Sequence, residues 1–137
     1  DMVPRRSGRV IIMSSIAGVV AAPGFGPYSM TKHALEAMGK TLRSELAPLG
    51  IDVTLINPGP YLTGFNDRMA DSMWEWFNEH SLNGSEAELF HVVGDFVTTG
   101  QRDPGEVAER LVELVEADTT TENNFVPPDI KAQLGLA

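Results

Sequence analysis

A serine, a tyrosine and a lysine near the start of the chain have the types and the spacing that alcohol–ketone chemistry requires. Tyr28 follows Ser15 by 13 residues and precedes Lys32 by four. Residues four apart on a helix lie on one face, about 5–6 Å between Cβ atoms, so the lysine cation would lie beside the phenol. Such a cation lowers the pKa of a phenol from about 10 toward the range useful for acid–base catalysis. Ser15 would then orient a carbonyl or a hydroxyl oxygen.

A tyrosine and a lysine at this spacing are usually just an exposed contact on a helix, so the elements around them decide the interpretation. Residues 9–13 form a β-branched apolar run typical of a buried strand, and the glycines and prolines of 18–27 predict a loop. A helix is predicted to begin at Tyr28 or Ser29 and to end near Pro48 and Gly50. Its predicted core-facing stripe consists of Met30, Ala34, Leu35, Met38, Leu42, Leu46 and Leu49.

A second apolar run at 51–56, closed by Asn57-Pro58-Gly59, predicts another strand. Strand, helix and strand form a parallel crossover unit, which is right-handed in nearly all proteins. The carboxyl ends of both strands and the start of the helix then meet at one edge of the sheet, where open α/β sheets bind their ligands. Ser15, Tyr28 and the Pro-Gly turn are therefore expected to lie close together.

These residues resemble the short-chain dehydrogenase/reductase pattern, in which Ser15, Tyr28 and Lys32 are followed by Asn-Pro-Gly and Thr63. The resemblance implies that Tyr28 is the general acid/base and that Ser15 holds the substrate oxygen. Lys32 would lower the pKa of Tyr28 and bind the nicotinamide ribose. The resemblance also implies that the cofactor-binding residues are Tyr28, Lys32, Pro58, Gly59, Tyr61 and Thr63. Tyr61 departs from the small β-branched residue usual in the family, and the change is harmless if its backbone amide makes the contact.

The same resemblance implies the fold class α/β, with the chain forming part of a doubly wound parallel Rossmann-type sheet that has helices on both faces. Residues 1–137 would be a single partial domain, the C-terminal half of a dinucleotide-binding oxidoreductase domain. The glycine-rich turn that binds pyrophosphate is not found, and Gly24 and Gly26 are better explained as turn residues. We therefore expect a truncated product or part of a longer protein.

Residues 66–100 would be the substrate lid by the same resemblance. This segment contains six large apolar residues: Met69, Met73, Trp74, Phe77, Phe90 and Phe96. Ordinary core packing is the favoured interpretation of these residues, and a pocket for an apolar substrate is the second. Exposure on the surface is the third. Asp103 and Pro104 predict the start of a further helix, residues 119–124 a polar linker, and residues 125–128 a short edge strand.

The amino-acid composition limits the kinds of partner that the chain is expected to bind. The formal net charge of −9 opposes binding to nucleic acids and to anionic membranes. The absence of cysteine excludes disulfides and thiolate chemistry and agrees with a cytoplasmic location. The three histidines lack the spacing of metal ligands, and no metal site is predicted.

Two functions follow. The first is an NAD(P)-dependent oxidoreductase that interconverts a small-molecule alcohol and ketone and that we expect to be a homo-oligomer. The resemblance implies NAD or NADP without a choice, because the residues that contact the ribose 2′ position belong to the half that is not found. The second is a truncated, non-catalytic remnant that acts as an interaction module through an unpaired sheet edge.

Overall fold

A parallel β-sheet with helices on both faces organises the chain. The computed structural model describes residues 1–78, 80–81 and 87–136. In chain order the elements are α1 (Met2–Arg5), β1 (Gly8–Met13), a 3₁₀ turn (Ile16–Gly18), α2 (Gly26–Leu46), a second 3₁₀ turn (Ala47–Leu49), β2 (Ile51–Pro58), α3 (Phe65–Trp76), α4 (Ala87–Thr98), α5 (Gly105–Glu116), β3 (Asn123–Val126) and α6 (Ile130–Gln133). None of the helices in these residues is both long and apolar enough to cross a membrane.

The described strands follow the order β1-β2-β3, and both pairings are parallel. Gly8 pairs with Ile51 at the start of β1, and Leu55 pairs with Asn123 at the start of β3. The predicted α/β crossover unit is confirmed. The sequence pattern predicts the last strand two residues too late, because it assigns Asn123 and Asn124 to a linker. Asn124 fits inside the sheet because its Nδ2 donates to Thr54 Oγ1 at 2.7 Å and to the Leu55 carbonyl at 2.9 Å.

Alternate residues of the strands pack against helices on opposite faces of the sheet, as a strand period of two requires. On one face Ile12, Val53 and Leu55 form a buried cluster with three leucines of α2, Leu35, Leu42 and Leu46. On the other face Ile56, Tyr61, Leu114 and Val126 form a second cluster, with Val107 and Leu111 of α5 packed against it. The helices on both faces therefore hold the sheet between two apolar layers.

Helix α2 lies with a different face inward than its apolar pattern predicts. It begins at Gly26, two residues before the predicted start, since Pro27 fits the first turn of a helix. Met30 is 74% exposed and Met38 is 46% exposed, so the predicted stripe is wrong at these positions. The buried positions are Ser29, Glu36 and Gly39.

Close approach of the helix to the sheet explains this rotation. A Cβ added at Gly39 would lie 2.7 Å from Leu55 Cδ1. Because glycine has no side chain, α2 can pack directly on the β2 side chains at this point. The leucines on either side of Gly39 complete the contact, and the methionines are left on the outer surface.

A polar network around Asp52 stabilises the end of the sheet where β1 and β2 begin. Asp52 accepts hydrogen bonds from Arg9 Nε and Arg43 Nη1, both at 2.9 Å, and from Thr120 Oγ1 at 2.8 Å. Partial burial alone would raise the pKa of Asp52, but the hydrogen bonds from Thr120 and Arg9 and the charges of the two arginines outweigh it. The pKa of Asp52 is therefore lowered. The network joins β1, β2, α2 and the segment before β3.

Candidate active site

Ser15 lies where β1 ends and the first 3₁₀ turn begins. The Ser14 amide still donates to the Ile56 carbonyl at 2.9 Å, so the chain leaves the sheet at this residue. Ser15 caps the turn because its Oγ accepts a hydrogen bond from the Ala17 amide at 3.1 Å. A hydroxyl that accepts one hydrogen bond keeps its own O–H as a donor. Ser15 can therefore donate to an oxygen atom placed at the strand end.

Tyr28 and Lys32 lie in the first two turns of α2, on the side that faces the end of β1. The Lys32 Nζ lies 5.7 Å from the centroid of the Tyr28 ring and donates to the Met13 carbonyl at 3.2 Å. Partial burial lowers the pKa of Lys32 from its ordinary value. The Tyr28 ring also contacts Phe65 of α3, with 5.9 Å between ring centroids. The lysine is thus held beside the phenol by a bond to the strand end.

The turn after β2 supplies the other side of the site. The Gly59 amide donates to the Val126 carbonyl at 2.9 Å, which fastens this turn to β3. The Thr63 amide donates to the Tyr61 carbonyl at 2.8 Å, and Thr63 Oγ1 accepts from the Phe65 amide at 3.3 Å. These bonds fix the path of the chain from the sheet into α3.

A cavity of about 450 Å³ brings the sequence-predicted site residues together. Its lining includes all seven of them: Ser15, Tyr28, Lys32, Pro58, Gly59, Tyr61 and Thr63. Helix α5 contributes apolar side chains to the same cavity, among them Val107 and Leu111. The arrangement has hydroxyl and ammonium groups at the strand ends and an apolar wall opposite the helix that carries Tyr28.

A second cavity, of about 270 Å³, adjoins the first and is largely apolar. Ser15, Tyr28, Gly59 and Asn66 line both cavities and form their shared wall. The rest of the second lining comes mainly from residues 20–25 and from α3 and α4, including Val20, Phe25, Met69, Phe96 and Val97. The Phe25 and Phe96 rings meet edge to face with 6.3 Å between centroids.

The side chain of Tyr61 takes part in the core, and sequence reasoning did not foresee this. Tyr61 is 5% exposed, and its hydroxyl donates to Glu106 Oε2 at 3.1 Å. Glu106 is also bound by Arg102, whose Nη2 lies 2.7 Å from Oε1. Burial first, and then the hydrogen bond and charge of Glu106, raise the pKa of Tyr61 to about 12. An acidic residue early in α5 gives no sequence signal that its partner is Tyr61.

A buried carboxylate beside the site was also missed. Glu36 is 4% exposed, and its two oxygens accept hydrogen bonds from Ser14 Oγ at 2.5 Å, Asn57 Nδ2 at 2.6 Å and Asn123 Nδ2 at 2.7 Å. The apolar pattern of α2 gives no signal of this burial, because it predicts a different inward face. The donors are distant in sequence, so spacing does not reveal them.

The large apolar residues of the segment 66–100 divide among packing, pocket and exposed surface, since Trp74 is 38% exposed and Phe96 is 57% exposed. Trp74, Phe77 and Phe90 form a ring cluster between α3 and α4, with centroid separations of 5.0–6.2 Å. Met69 and Phe96 line the smaller cavity instead. Part of the predicted lid, residues 79 and 82–86, lies outside the described residues. Within the described part of the chain, no group of three or more metal-ligating side chains comes together.

Known proteins place this chain in a family. The family model described as short chain dehydrogenase matches residues 1–74. An uncharacterized oxidoreductase of Escherichia coli K12 is 46% identical over 68 residues, which are 50% of this chain and 25% of that protein. The aligned part thus spans about a quarter of the length of this curated relative.

Solved structures match almost the whole chain. A short-chain dehydrogenase from Streptomyces avermitilis superposes with a TM-score of 0.71 at 25% identity, covering 98% of this chain and 51% of that one. Actinorhodin polyketide ketoreductase, solved with NADPH, superposes with a TM-score of 0.63 at 28% identity, covering 90% and 47%. The chain therefore corresponds to about half of each of these structures.

Proposed function

Because this chain belongs to the short-chain dehydrogenase family, we propose that it supplies the catalytic and nicotinamide-side residues of an NAD(P)-dependent oxidoreductase that interconverts an alcohol and a ketone. One observation carries the proposal. A single cavity is lined by Ser15, Tyr28, Lys32 and the turn of residues 58–63. Three polar groups suited to carbonyl chemistry therefore face one space, although they come from two separate segments of the chain, the end of β1 and helix α2.

The larger cavity fits the nicotinamide end of a dinucleotide in size and in donors. Its volume of about 450 Å³ falls within the range of about 300–1,000 Å³ usual for ligand pockets. An ammonium group has three N–H donors, and among the described residues Lys32 directs one of them to Met13, so two remain for ribose hydroxyls. Val107 and Leu111 offer an apolar surface for a flat ring.

In the proposed reaction, the residues of this chain handle the proton and the oxygen. Tyr28 donates its hydroxyl proton to the ketone oxygen during reduction and accepts the alcohol proton during oxidation. Ser15 donates a hydrogen bond to the same oxygen as negative charge develops there. Lys32 places a positive charge beside the Tyr28 ring. This charge stabilises the phenolate that remains after Tyr28 gives up its proton. A bound nicotinamide would supply or accept the hydride.

The smaller cavity is the proposed site for the body of the substrate, and residues 66–100 are the proposed lid. Asn66, Met69, Phe96 and Val97 of this segment line the cavity. Since the remaining lining is also mostly apolar, the favoured substrate carries an apolar group next to its carbonyl carbon. The shared wall at Ser15 and Tyr28 would place that carbon between the substrate body and the cofactor.

The proposal includes a homo-oligomer and a cytoplasmic location. Met30 and Met38 are large apolar side chains exposed on the outer face of α2, which favours burial against another subunit. The absence of cysteine agrees with a reducing compartment. The alternative of a non-catalytic interaction module has no specific support among the relatives.

Turnover by the natural full-length protein that contains this sequence tests the proposal. It would be assayed with ketones of increasing apolar bulk and with each nicotinamide cofactor. Tyr28→Phe should lower kcat at least about a hundredfold, the lower end of what a general acid contributes. Ser44→Ala is the matched control, because it removes an exposed hydroxyl from the same helix. Undiminished turnover in the Tyr28 variant would refute the assignment.

A further inference from the structure

A single buried carboxylate joins helix α2 to the ends of all the strands described above. Glu36 accepts from Ser14, which directly follows β1, from Asn57 near the end of β2, and from Asn123 at the start of β3. All these donors are neutral. Asn123 Nδ2 also donates to Asn57 Oδ1 at 3.0 Å, so the two asparagines are held to each other as well as to Glu36.

The same network reaches the proposed catalytic residues through short connections. Asn57 Nδ2 donates to the Ser15 carbonyl at 3.2 Å, and Ser14 is the neighbour of Ser15 in the chain. On the helix side, Glu36 lies one turn after Lys32 and two turns after Tyr28, along nearly the same face. Glu36 therefore connects the segment that carries the serine to the helix that carries the tyrosine and lysine.

Close packing around this carboxylate leaves little room for adjustment. A Cβ added at Gly18 would lie 2.7 Å from Ser14 Oγ, 3.0 Å from Glu36 Cγ and 3.0 Å from the Lys32 carbonyl oxygen. The turn that Ser15 caps thus lies directly on the bond between Ser14 and Glu36. A change at the carboxylate has to be transmitted to this turn, since packed atoms cannot absorb it.

We infer that Glu36 is a positioning residue that fixes the distance between Ser15 and the Tyr28–Lys32 pair. This inference rests on the proposed function, because the positioning matters to catalysis only if these residues act on one oxygen atom. Glu36 does not line either cavity described above. Its effect on the reaction is exerted through Ser14 and Asn57, which hold the backbone at Ser15.

The test is Glu36→Gln in the natural full-length protein, with Glu45→Gln as the matched control. Glutamine keeps the shape of the side chain but turns an acceptor oxygen into an NH₂ group, which must face at least one of the donors from Ser14, Asn57 or Asn123. Glu45 lies on the same helix and is exposed. The measurements are kcat, KM, the midpoint of thermal unfolding, and amide hydrogen exchange over residues 14–18.

Glu36→Gln should lower kcat about 10- to 100-fold, since a displacement of about 1 Å can cost a hundredfold in rate. KM should change much less, and exchange at 14–18 should accelerate because the turn opens more often. The Glu45 variant should match the wild type in every measurement. If Glu36→Gln fails to fold, Ser14→Ala, which removes one donor, should show the same pattern with a smaller loss of kcat.

A purely structural role predicts a different result. The unfolding midpoint would fall while kcat of the folded protein and exchange at 14–18 stayed at wild-type values, and this outcome would overturn the inference. Failure of the proposed function is recognised separately, by full turnover in Tyr28→Phe. The exchange measurement does not depend on turnover, so unchanged exchange in Glu36→Gln contradicts the positioning role whatever the reaction is.

Discussion

Replacing Tyr61 with phenylalanine should destabilise the protein near neutral pH and lose that effect at high pH. Tyr61 is 5% exposed, and its hydroxyl donates to Glu106 Oε2 at 3.1 Å. The variant removes this hydrogen bond while leaving the ring in the core cluster with Ile56 and Leu114. The expected pH dependence follows from the raised pKa of the phenol.

The magnitude at pH 7 is set by one hydrogen bond to a carboxylate. Such bonds contribute about 1.5–3 kcal/mol, but Glu106 keeps its bonds to Arg102, so the expected loss in unfolding free energy is about 1 kcal/mol. The ring remains, so no large cavity term is added.

The sign at alkaline pH follows from linkage. The pKa of Tyr61 is about 12 in the folded protein, against 10.0 for the free side chain. The folded state therefore keeps a proton that the unfolded state releases above about pH 10. The stability contribution of Tyr61 is complete below pH 10 and is lost as the pH rises through about 12. At pH 11 the loss is on the order of 1 kcal/mol, which offsets the advantage of about 1 kcal/mol expected at neutral pH.

Urea unfolding at pH 7 and at pH 11, followed by tryptophan fluorescence, measures both values. The wild type should exceed Tyr61→Phe by about 1 kcal/mol at pH 7 and should match it near pH 11. Glu106→Gln serves as a second variant, because removing this charge should shrink the alkaline loss. The same difference between wild type and Tyr61→Phe at both pH values would refute the reasoning.

Two further substitutions test the contacts that hold helix α2 on the sheet. Asp52→Asn should lower the free energy of unfolding by about 1–3 kcal/mol at pH 7. Because the pKa of Asp52 in the folded protein is lowered from 3.8, the stability difference between wild type and variant should narrow as the pH falls below about 4. Acid unfolding followed by circular dichroism measures this difference. Gly39→Ala places a methyl group 2.7 Å from the Leu55 side chain and should lower the thermal midpoint, since overpacking costs about 1–3 kcal/mol against a helix-propensity gain of about 1 kcal/mol. Gly26→Ala is its control, because the added Cβ meets no side chain or other element of the described chain within 4 Å, its chain neighbours aside; equal midpoints in the two alanine variants would contradict the packing argument.

The sequence predicted those parts of the fold that depend on local pattern. The strand at 9–13, the long helix and the strand at 51–56 each carry their own periodicity and terminating residues, and all three are present. Their parallel arrangement follows from general rules of chain connection. The grouping of Ser15 with Tyr28 at one edge follows from the same rules.

What the sequence could not predict depends on partners far along the chain. Glu36 is an ordinary polar residue by pattern, and the hydrogen bonds from Ser14, Asn57 and Asn123 make its burial favourable. Because the apolar pattern contains no information on these partners, it predicts Met30 and Met38 in the core. The face that turns inward is instead decided by hydrogen bonds and by a glycine contact with the sheet.

The shared wall between the two cavities has a consequence for how such a protein can diversify. The wall includes Ser15 and Tyr28, which the proposed chemistry uses, while the far side of the smaller cavity comes largely from residues 20–25 and from helices α3 and α4. Under the proposed function, mutations on that far side would alter which substrate fits and leave the reacting atoms in place. Selection could therefore act on substrate range and on catalytic competence as nearly separate traits.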